Sequence, residues 1–259
     1  MTPSSVAPAM PVYLIAPRGP SSQSALKIEW RHPVFQEHAR QEGTGSQAVE
    51  ARRRLPSREA YLRIAGEDRR PLLVLRECLT CSGTDDALLT READNEKTML
   101  LSRWFHCVKL GPNVLDEDHP FGALFPGESP AHLFVSRWDG SGRLDLQGDQ
   151  SRTELWAVME RLLASDYEDS SRKPLKELFR ILDRFDELDR EIAALEARLD
   201  EAIEKSGPDS SKAKKYGRSL ERARAELVAL EERAQAVSRL DLKPGEEEGH
   251  GQASTPRAG

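Results

Sequence analysis

The stretch over residues 71–89 reads Pro71-Leu-Leu-Val-Leu-Arg-Glu-Cys78-Leu-Thr-Cys81-Ser-Gly-Thr-Asp-Asp-Ala-Leu-Leu89. Its apolar run over residues 71–75 predicts a strand buried on both faces, and the residues from Cys81 to about Arg91 predict a helix. Cys78 and Cys81 therefore form a CxxC motif between the exit of a strand and the entry of a helix. The partial positive charge and free N–H groups of a helix N-terminus stabilise a thiolate, so this arrangement is typical of redox-active pairs.

Length, net charge and cysteine count limit the classes of protein to which this chain can belong. The chain has 259 residues, enough for one or two domains with a sizeable core, and a formal net charge of −6, which implies no broad basic face for nucleic acid. Its three cysteines are too few for a disulfide-rich secreted scaffold. The N-terminus lacks a basic region ahead of an uninterrupted apolar segment, and no apolar run is long enough to span a bilayer. We therefore expect a cytoplasmic protein whose CxxC pair rests as a dithiol.

Alternating apolar residues and turn signals place further elements around the motif. They predict strands over residues 26–30, 104–110, 129–136 and 143–146, and helices over residues 57–66, 118–125 and 151–163. Pro130 lies at the start of the strand predicted over residues 129–136. Proline is tolerated at this position because no backbone N–H donor is needed there for the ladder. Ser151 and Glu154 form a predicted capping box at the start of the last helix.

This order of elements resembles the thioredoxin-like superfamily, in particular bacterial thioredoxin-like domain proteins, over roughly residues 57–163. The resemblance implies an α/β fold, a thioredoxin-like three-layer α/β/α sandwich. Cys78 and Cys81 match the redox pair of the family, so the resemblance makes them the catalytic residues, with Cys78 as the nucleophile and Cys81 as the resolving thiol.

Other positions also match the family. Lys109 matches the lysine on its central strand, and Pro130 matches the proline that lies in cis beside the disulfide and shapes the substrate groove. The resemblance makes Ser129 and Pro130 the substrate-binding residues. The motif itself departs from the family pattern, because Glu77 replaces the usual tryptophan and Leu79-Thr80 replaces the usual Gly-Pro. The buried acidic residue that the family carries on the preceding strand is absent.

The charges next to the motif predict the character of the thiol. Glu77 is adjacent to Cys78, and Asp85 and Asp86 compete for the positive end of the predicted helix. A thiolate that gains little stabilisation makes a poor oxidant. We therefore expect a reducing pair with a slow attacking thiol.

Two other interpretations of the cysteines stay open. The pair can be structural, without chemistry, or it can be part of a zinc site with His106 and Cys107. Adjacent residues on a strand point to opposite faces, which disfavours joint ligation by His106 and Cys107. Cys107 alone is predicted to be a small buried apolar residue.

A second module follows a Ser-rich junction. Two helical stripes with coiled-coil spacing fill residues 171–241 and are separated by a Gly-Pro turn. The first carries six basic and ten acidic residues over 175–205, a net charge of −4, and the second carries eight basic and four acidic residues over 212–240, a net charge of +4. Opposite charges favour an antiparallel hairpin, with a homodimer or a partner helix as alternatives.

The predicted organisation has four parts. They are a disordered N-terminal arm (1–24), a thioredoxin-like domain (25–165), a helical hairpin (171–241) and a disordered tail (242–259). The leading hypothesis is a thiol–disulfide oxidoreductase that acts on protein disulfides and needs no cofactor, metal, nucleic acid or membrane. The rival is a non-catalytic module of the same fold whose hairpin recruits a protein partner or dimerises.

Overall fold

The computed structural model describes residues 18–33, 54–77, 87–89 and 94–244 of the chain. Its helices and strands are, in chain order, α1 (Pro20–Ala25), α2 (Ser57–Ala65), β1 (Leu72–Arg76), α3 (Glu96–Leu101), β2 (His106–Leu110), β3 (Leu133–Ser136), β4 (Leu144–Leu146), α4 (Arg152–Asp166), α5 (Arg172–Ser206) and α6 (Ser211–Val237). Short 3-10 turns cover Ser102–Trp104, Pro112–Leu115 and Gly122–Leu124. The prediction of a mixed α/β protein with a C-terminal helical region is confirmed.

The four described strands form one mixed sheet in the order β2-β1-β3-β4. β1 and β2 run parallel, whereas β3 is antiparallel to both β1 and β4. Every residue of β1 is buried, as its continuous apolar run predicts for a central strand. The strands predicted from residue 71 onward are confirmed with shifted ends, because Ser102–Trp104 forms a 3-10 turn ahead of β2 and β3 begins only at Leu133.

The sheet separates two apolar layers, since alternate residues of a strand point to opposite faces. Leu72 and Val74 pack with α2 and the 3-10 turns. Leu73 and Leu75 pack with α3, α4 and the first half of α5. The capping box predicted at Ser151 is present at the start of α4, where the serine hydroxyl accepts from the Glu154 N–H and the Glu154 carboxylate accepts from the Ser151 N–H.

The N-terminal segment is docked on α5. Arg18 donates hydrogen bonds of 2.7–2.9 Å to three carboxylates, Glu96 on α3 and Asp183 and Asp186 on α5. The prediction of a disordered arm is therefore wrong for residues 18–24, because a Ser- and Pro-rich composition does not reveal an ion-pair network formed with distant residues. Residues 1–17 lie outside the described part of the chain.

Gly19 shows how closely this segment approaches α5. A Cβ atom at this position would lie 2.3 Å from Oδ2 of Asp189, so only glycine fits without a shift. The backbone N–H and hydroxyl of Ser21 both donate to the Asp189 carboxylate, at 3.0 and 2.7 Å. The loop that leads into α1 is therefore held on α5 by backbone as well as side-chain contacts.

The strand predicted over residues 26–30 is wrong, since only one bridge forms nearby. Arg31 pairs in parallel with Val108 at the outer side of β2. Its N–H donates to the Cys107 carbonyl and its carbonyl accepts from the Lys109 N–H, both at 2.8 Å. The segment follows the edge of the sheet without forming a ladder.

The helices α5 and α6 form an antiparallel hairpin. Three ion pairs across it have the register of antiparallel helices: Arg184 with Glu226, Arg224 with Glu196, and Arg233 with Glu177. α5 starts at Arg172, two residues before Pro174. No helix within the described residues is both long and apolar enough to cross a membrane.

The base of the hairpin packs into the core of the α/β part, so the two predicted modules share one buried cluster. Leu178, Leu182 and Phe185 of α5 and Ala234 of α6 share one buried cluster with the sheet residues Leu73 and Leu75. A heptad pattern predicts that a helix face is buried but does not identify the surface that buries it.

The chain beyond α6 also returns to this core. Leu242 bridges to Tyr167, and the Lys243 N–H donates to the Asp166 carbonyl at 2.8 Å. The disordered tail predicted from residue 242 is therefore wrong at its first residues. Residues 245–259 lie outside the described part of the chain.

A partly buried cluster of hydrogen bonds joins the sheet to the loop after α2. The two ring nitrogens of His106 face acceptors, with Nδ1 2.8 Å from Asp68 Oδ2 and Nε2 3.1 Å from the Ile64 carbonyl. Arg70 also contacts the Asp68 carboxylate, at 2.7 Å. Burial favours the neutral acid, but the hydrogen bonds from His106 and Arg70 outweigh it and hold the pKa of Asp68 well below its ordinary range.

We expect Asp68 to make stability depend on acid pH. Because its pKa is lower in the folded state, its stabilisation is present above the unfolded carboxyl value of about 4 and is lost as the pH falls toward the folded value. Urea unfolding should show Asp68→Asn less stable than the wild type at pH 7, with the difference shrinking below about pH 4. The exposed Asp116→Asn should match the wild type throughout. A difference for Asp68→Asn that stays constant down to pH 3 would contradict this expectation.

Candidate active site at the end of strand β1

Strand β1 ends shortly before the CxxC motif in the sequence. Arg76 is the last residue of β1, and its N–H donates to the His132 carbonyl at 2.8 Å. The Glu77 N–H donates to the Leu110 carbonyl at 2.9 Å, so the chain still follows β2 one residue later. Cys78 and Cys81, the predicted catalytic residues, lie outside the described residues.

Residues 87–89 are the first residues after the motif that the structure describes. Leu88 and Leu89 are buried in the layer formed by α3, α4 and α5. The Ala87 carbonyl accepts from Gln150 Nε2 at 2.6 Å, just ahead of α4. These three residues form a turn and a bend, so the helix predicted to reach Arg91 is wrong at these positions.

Ser129 and Pro130, the predicted substrate-binding residues, lie beside the end of β1. Ser129 is exposed and Pro130 is partly exposed. The Pro130 carbonyl accepts from Arg76 Nη2 at 3.1 Å, which fixes the loop against the strand. The peptide bond before Pro130 is trans, so the cis geometry implied by the resemblance is wrong.

Arg76 is the charged centre of this region, and the sequence interpretation missed it. Its side chain bends over the end of β1, where Nη2 reaches the Pro130 carbonyl and Nε lies 3.4 Å from the Ala131 carbonyl. The residue is only 7% exposed, and burial lowers the pKa of its guanidinium. Among the described residues no carboxylate contacts it. The available signal was a single cation at the end of an apolar strand, two residues before a cysteine.

His132 is the neighbour of Arg76 at the end of β1. Its Nδ1 lies 3.4 Å from Arg76 Nη2. Burial, followed by the charge of Arg76, lowers the pKa of His132, because both disfavour the imidazolium. A neutral ring is thus the natural neighbour of this guanidinium, whereas no pattern in the sequence assigned His132 a partner.

Lys109 lies on β2, the strand next to β1. Its Nζ is 4.9 Å from the centre of the Trp30 ring, within cation–π range. It therefore contacts the segment that runs along the outer edge of the sheet. The hydrogen bonds of Arg76 are made instead with the loop that contains Pro130.

Cys107 and His106 point to opposite faces of the sheet, as predicted from their adjacency. Cys107 is buried among the residues of the α3–α5 layer, and burial raises the pKa of its thiol to about 12. His106 contacts Asp68 and Ile64 on the other side. Among the described residues, no group of three or more His, Cys, Asp or Glu side chains is placed to hold a metal ion.

Three residues thus lie together at the end of β1, namely Arg76, His132 and Pro130. The CxxC motif follows this strand along the chain. A comparison of the chain with family models, curated proteins and solved structures finds no match. Any functional assignment therefore depends on the residues at the end of β1.

Proposed function

We propose that the protein is a thioredoxin-like thiol–disulfide oxidoreductase that reduces protein disulfides through Cys78 and Cys81. The observation that carries this proposal is the position of the motif. The central strand β1 ends beside the Pro130 loop, and the CxxC sequence follows Glu77 directly along the chain. The parallel β1–β2 pair and the antiparallel β3–β4 hairpin agree with the order of elements from which the resemblance was inferred.

The mechanism needs only the two thiols of the chain. The Cys78 thiolate attacks one sulfur of a substrate disulfide, so that bond breaks, a mixed disulfide forms and the first substrate thiol leaves. The Cys81 thiolate then attacks the Cys78 sulfur and releases the second substrate thiol. Two electrons pass to the substrate and the CxxC pair becomes a disulfide, which an external dithiol reduces again.

The loop before β3 supports a role in substrate binding. Ser129 is exposed, and Pro130 is held by Arg76 while part of its ring stays accessible. A substrate chain that reaches Cys78 would pass over this surface. In this proposal Ser129 and Pro130 contact the substrate backbone without taking part in the chemistry.

The rival function is a binding module whose hairpin recruits a partner. The observation that favours it is the far half of the hairpin, where Leu195, Leu220 and Ala223 form only a small buried cluster. Ile203, on the same seam, remains 38% exposed. An incompletely covered apolar seam favours protein contacts, with or without chemistry at the CxxC.

One assay separates the two functions. We expect the wild-type protein to accelerate reduction of insulin disulfides by dithiothreitol, and Cys78→Ser to fall to the rate of dithiothreitol alone. Cys107→Ala is the matched control, because this cysteine is buried on β2 and is not part of the CxxC motif, so its loss should leave the rate unchanged. Equal rates for the wild type and Cys78→Ser would refute the enzyme and favour the binding module.

A further inference from the structure

A groove opens where the N-terminal segment meets the two helices of the hairpin. Its volume is about 620 Å³, which lies in the size range of binding clefts. Residues 18–20 line it together with apolar residues of α5 and α6, namely Ile192, Ala193 and Leu227. Ile192 and Leu227 are only partly buried, so the hairpin leaves apolar surface uncovered in this groove.

The near end of the groove shows what kind of segment α5 binds on this side. Asp186 and Asp189 accept hydrogen bonds from the backbone N–H groups of Gly19 and Ser21, at 2.8 and 3.0 Å. Asp186 also pairs with Arg18 at 2.7 Å. Arg18 is the one charged residue between positions 18 and 26. This side of α5 therefore already holds a segment whose single charge is positive.

The acidic stripe that holds this segment continues along α5 beyond it. Its members recur at spacings of three, four or seven residues, which place them on one side of a helix: Asp186, Asp189, Glu196, Asp200 and Glu204. Glu196 lines the groove and pairs with Arg224 of α6 at 2.7 Å. Asp200 and Glu204 are exposed, and neither takes part in an ion pair with another described residue.

The cations that line the groove do not neutralise these two acids. Arg18 pairs with three carboxylates near the base of the hairpin, and Arg224 pairs with Glu196. Arg190 donates to the Asp186 carbonyl at 3.0 Å, next to the place where the N-terminal segment is bound. Among the described residues, the uncompensated charge farther along this side of α5 is therefore negative.

We propose that this groove docks a basic amphipathic helix of a partner protein. The apolar side of that helix covers Ile192 and Leu227, and then Ile203, which is 38% exposed farther along α5. Its lysine or arginine side chains lie along Asp200 and Glu204, where opposite charges select the partner and orient it. The inference names the partner class for the binding function of the hairpin, and it holds whether or not the CxxC pair is active.

Binding of model peptides to the full-length protein tests both parts of this chemistry. The probe is a fluorescein-labelled amphipathic helix of leucine and lysine, about four turns long, and its counterpart carries glutamate in place of every lysine. We expect fluorescence anisotropy to show binding of the lysine peptide that weakens with added salt, and no binding of the glutamate peptide. The double variant Asp200→Asn with Glu204→Gln should raise the dissociation constant about fivefold.

The double variant Glu191→Gln with Glu232→Gln is the matched control. Both glutamates are exposed, and their replacement changes the net charge by the same amount. Glu191 lies nine positions before Asp200, about two and a half turns, and therefore on the opposite side of α5. The control should bind the lysine peptide as the wild type does, whereas Ile203→Ser should weaken binding because an apolar contact is lost.

Three results would overturn the proposal. They are equal binding of the two peptides, no binding of the lysine peptide, and the same affinity in the Asp200/Glu204 variant and the control. A wild-type dimer in sedimentation velocity that dissociates in the Asp200/Glu204 variant would identify a second copy of the chain as the occupant, and would also overturn it. Because no disulfide is reduced in these measurements, their failure is distinct from a failure of the insulin assay.

Discussion

Arg18→Met is expected to lower the free energy of unfolding by about 3–5 kcal/mol, the cost of leaving a buried charge without its partner. The central pair is largely removed from solvent, with the Arg18 side chain 12% and the Glu96 side chain 8% exposed. Hydrogen bonding to Glu96 raises the pKa of Arg18 above its ordinary value, so the cation persists at any working pH. Without it, Glu96 would face Asp183 and Asp186 with no compensating charge. Urea unfolding monitored by circular dichroism measures the loss.

A surface arginine with two acidic neighbours provides the comparison. Arg184 contacts Glu187 and Glu226 but is 39% exposed, so Arg184→Met should cost under about 1 kcal/mol. The double variant Arg18→Met with Glu96→Met removes both buried charges and should recover much of the loss. If Arg18→Met cost no more than Arg184→Met, the docking of the N-terminal segment would not contribute to stability.

Phe185→Ala is the second change with a large expected effect, about 3–5 kcal/mol. Phe185 is 2% exposed and lies where α5 packs on the layer of the sheet that contains Leu73 and Leu75. All four tryptophans precede α5, at positions 30, 104, 138 and 156, so tryptophan fluorescence reports the α/β part and its contact with the base of the hairpin, where Trp104 donates to Ser238. Circular dichroism at 222 nm reports mainly the long helices. Because the core is shared, the two signals should unfold together and shift together in Phe185→Ala.

Leu199→Ala is the matched control at the far half of the hairpin. Leu199 is only partly buried, against the small cluster around Leu195. Its truncation should cost less than half as much as that of Phe185, since less apolar surface is lost and the site can collapse. Separate transitions for fluorescence and circular dichroism in the wild type would mean that the hairpin unfolds as an independent unit.

Local patterns predicted the elements of the sheet correctly. The apolar run before the motif identified β1 because a central strand buries both faces, and the capping box identified the start of α4 because both of its partners lie within one turn. Arg18 and Phe185 act across more than 75 residues of sequence or across two apparent modules. Periodicity carries no information about such partners, so the ion pairs of Arg18 and the packing of the hairpin base on the sheet could not be predicted from it.

The site was predictable in part for a related reason. The CxxC motif and Pro130 are visible in the sequence, whereas the contacts of Arg76 with the Pro130 loop depend on how the strands pair. A lone arginine after four apolar residues has the sequence signature of an ordinary strand end. Its burial against the Pro130 loop becomes visible only once β1 and β3 are paired.

The anchoring of both hairpin helices at one end has a mechanical consequence. α5 is fixed through its buried base, and the last turn of α6 is fixed where Arg103 and Trp104 donate to the side chain and carbonyl of Ser238. The hairpin is therefore a cantilever whose free end is the turn at Gly207, about 50 Å along a helix of 35 residues. A sideways force at that end is resisted by tension in one helix and compression in the other. The direction of the hairpin relative to the sheet is therefore a fixed property of the fold.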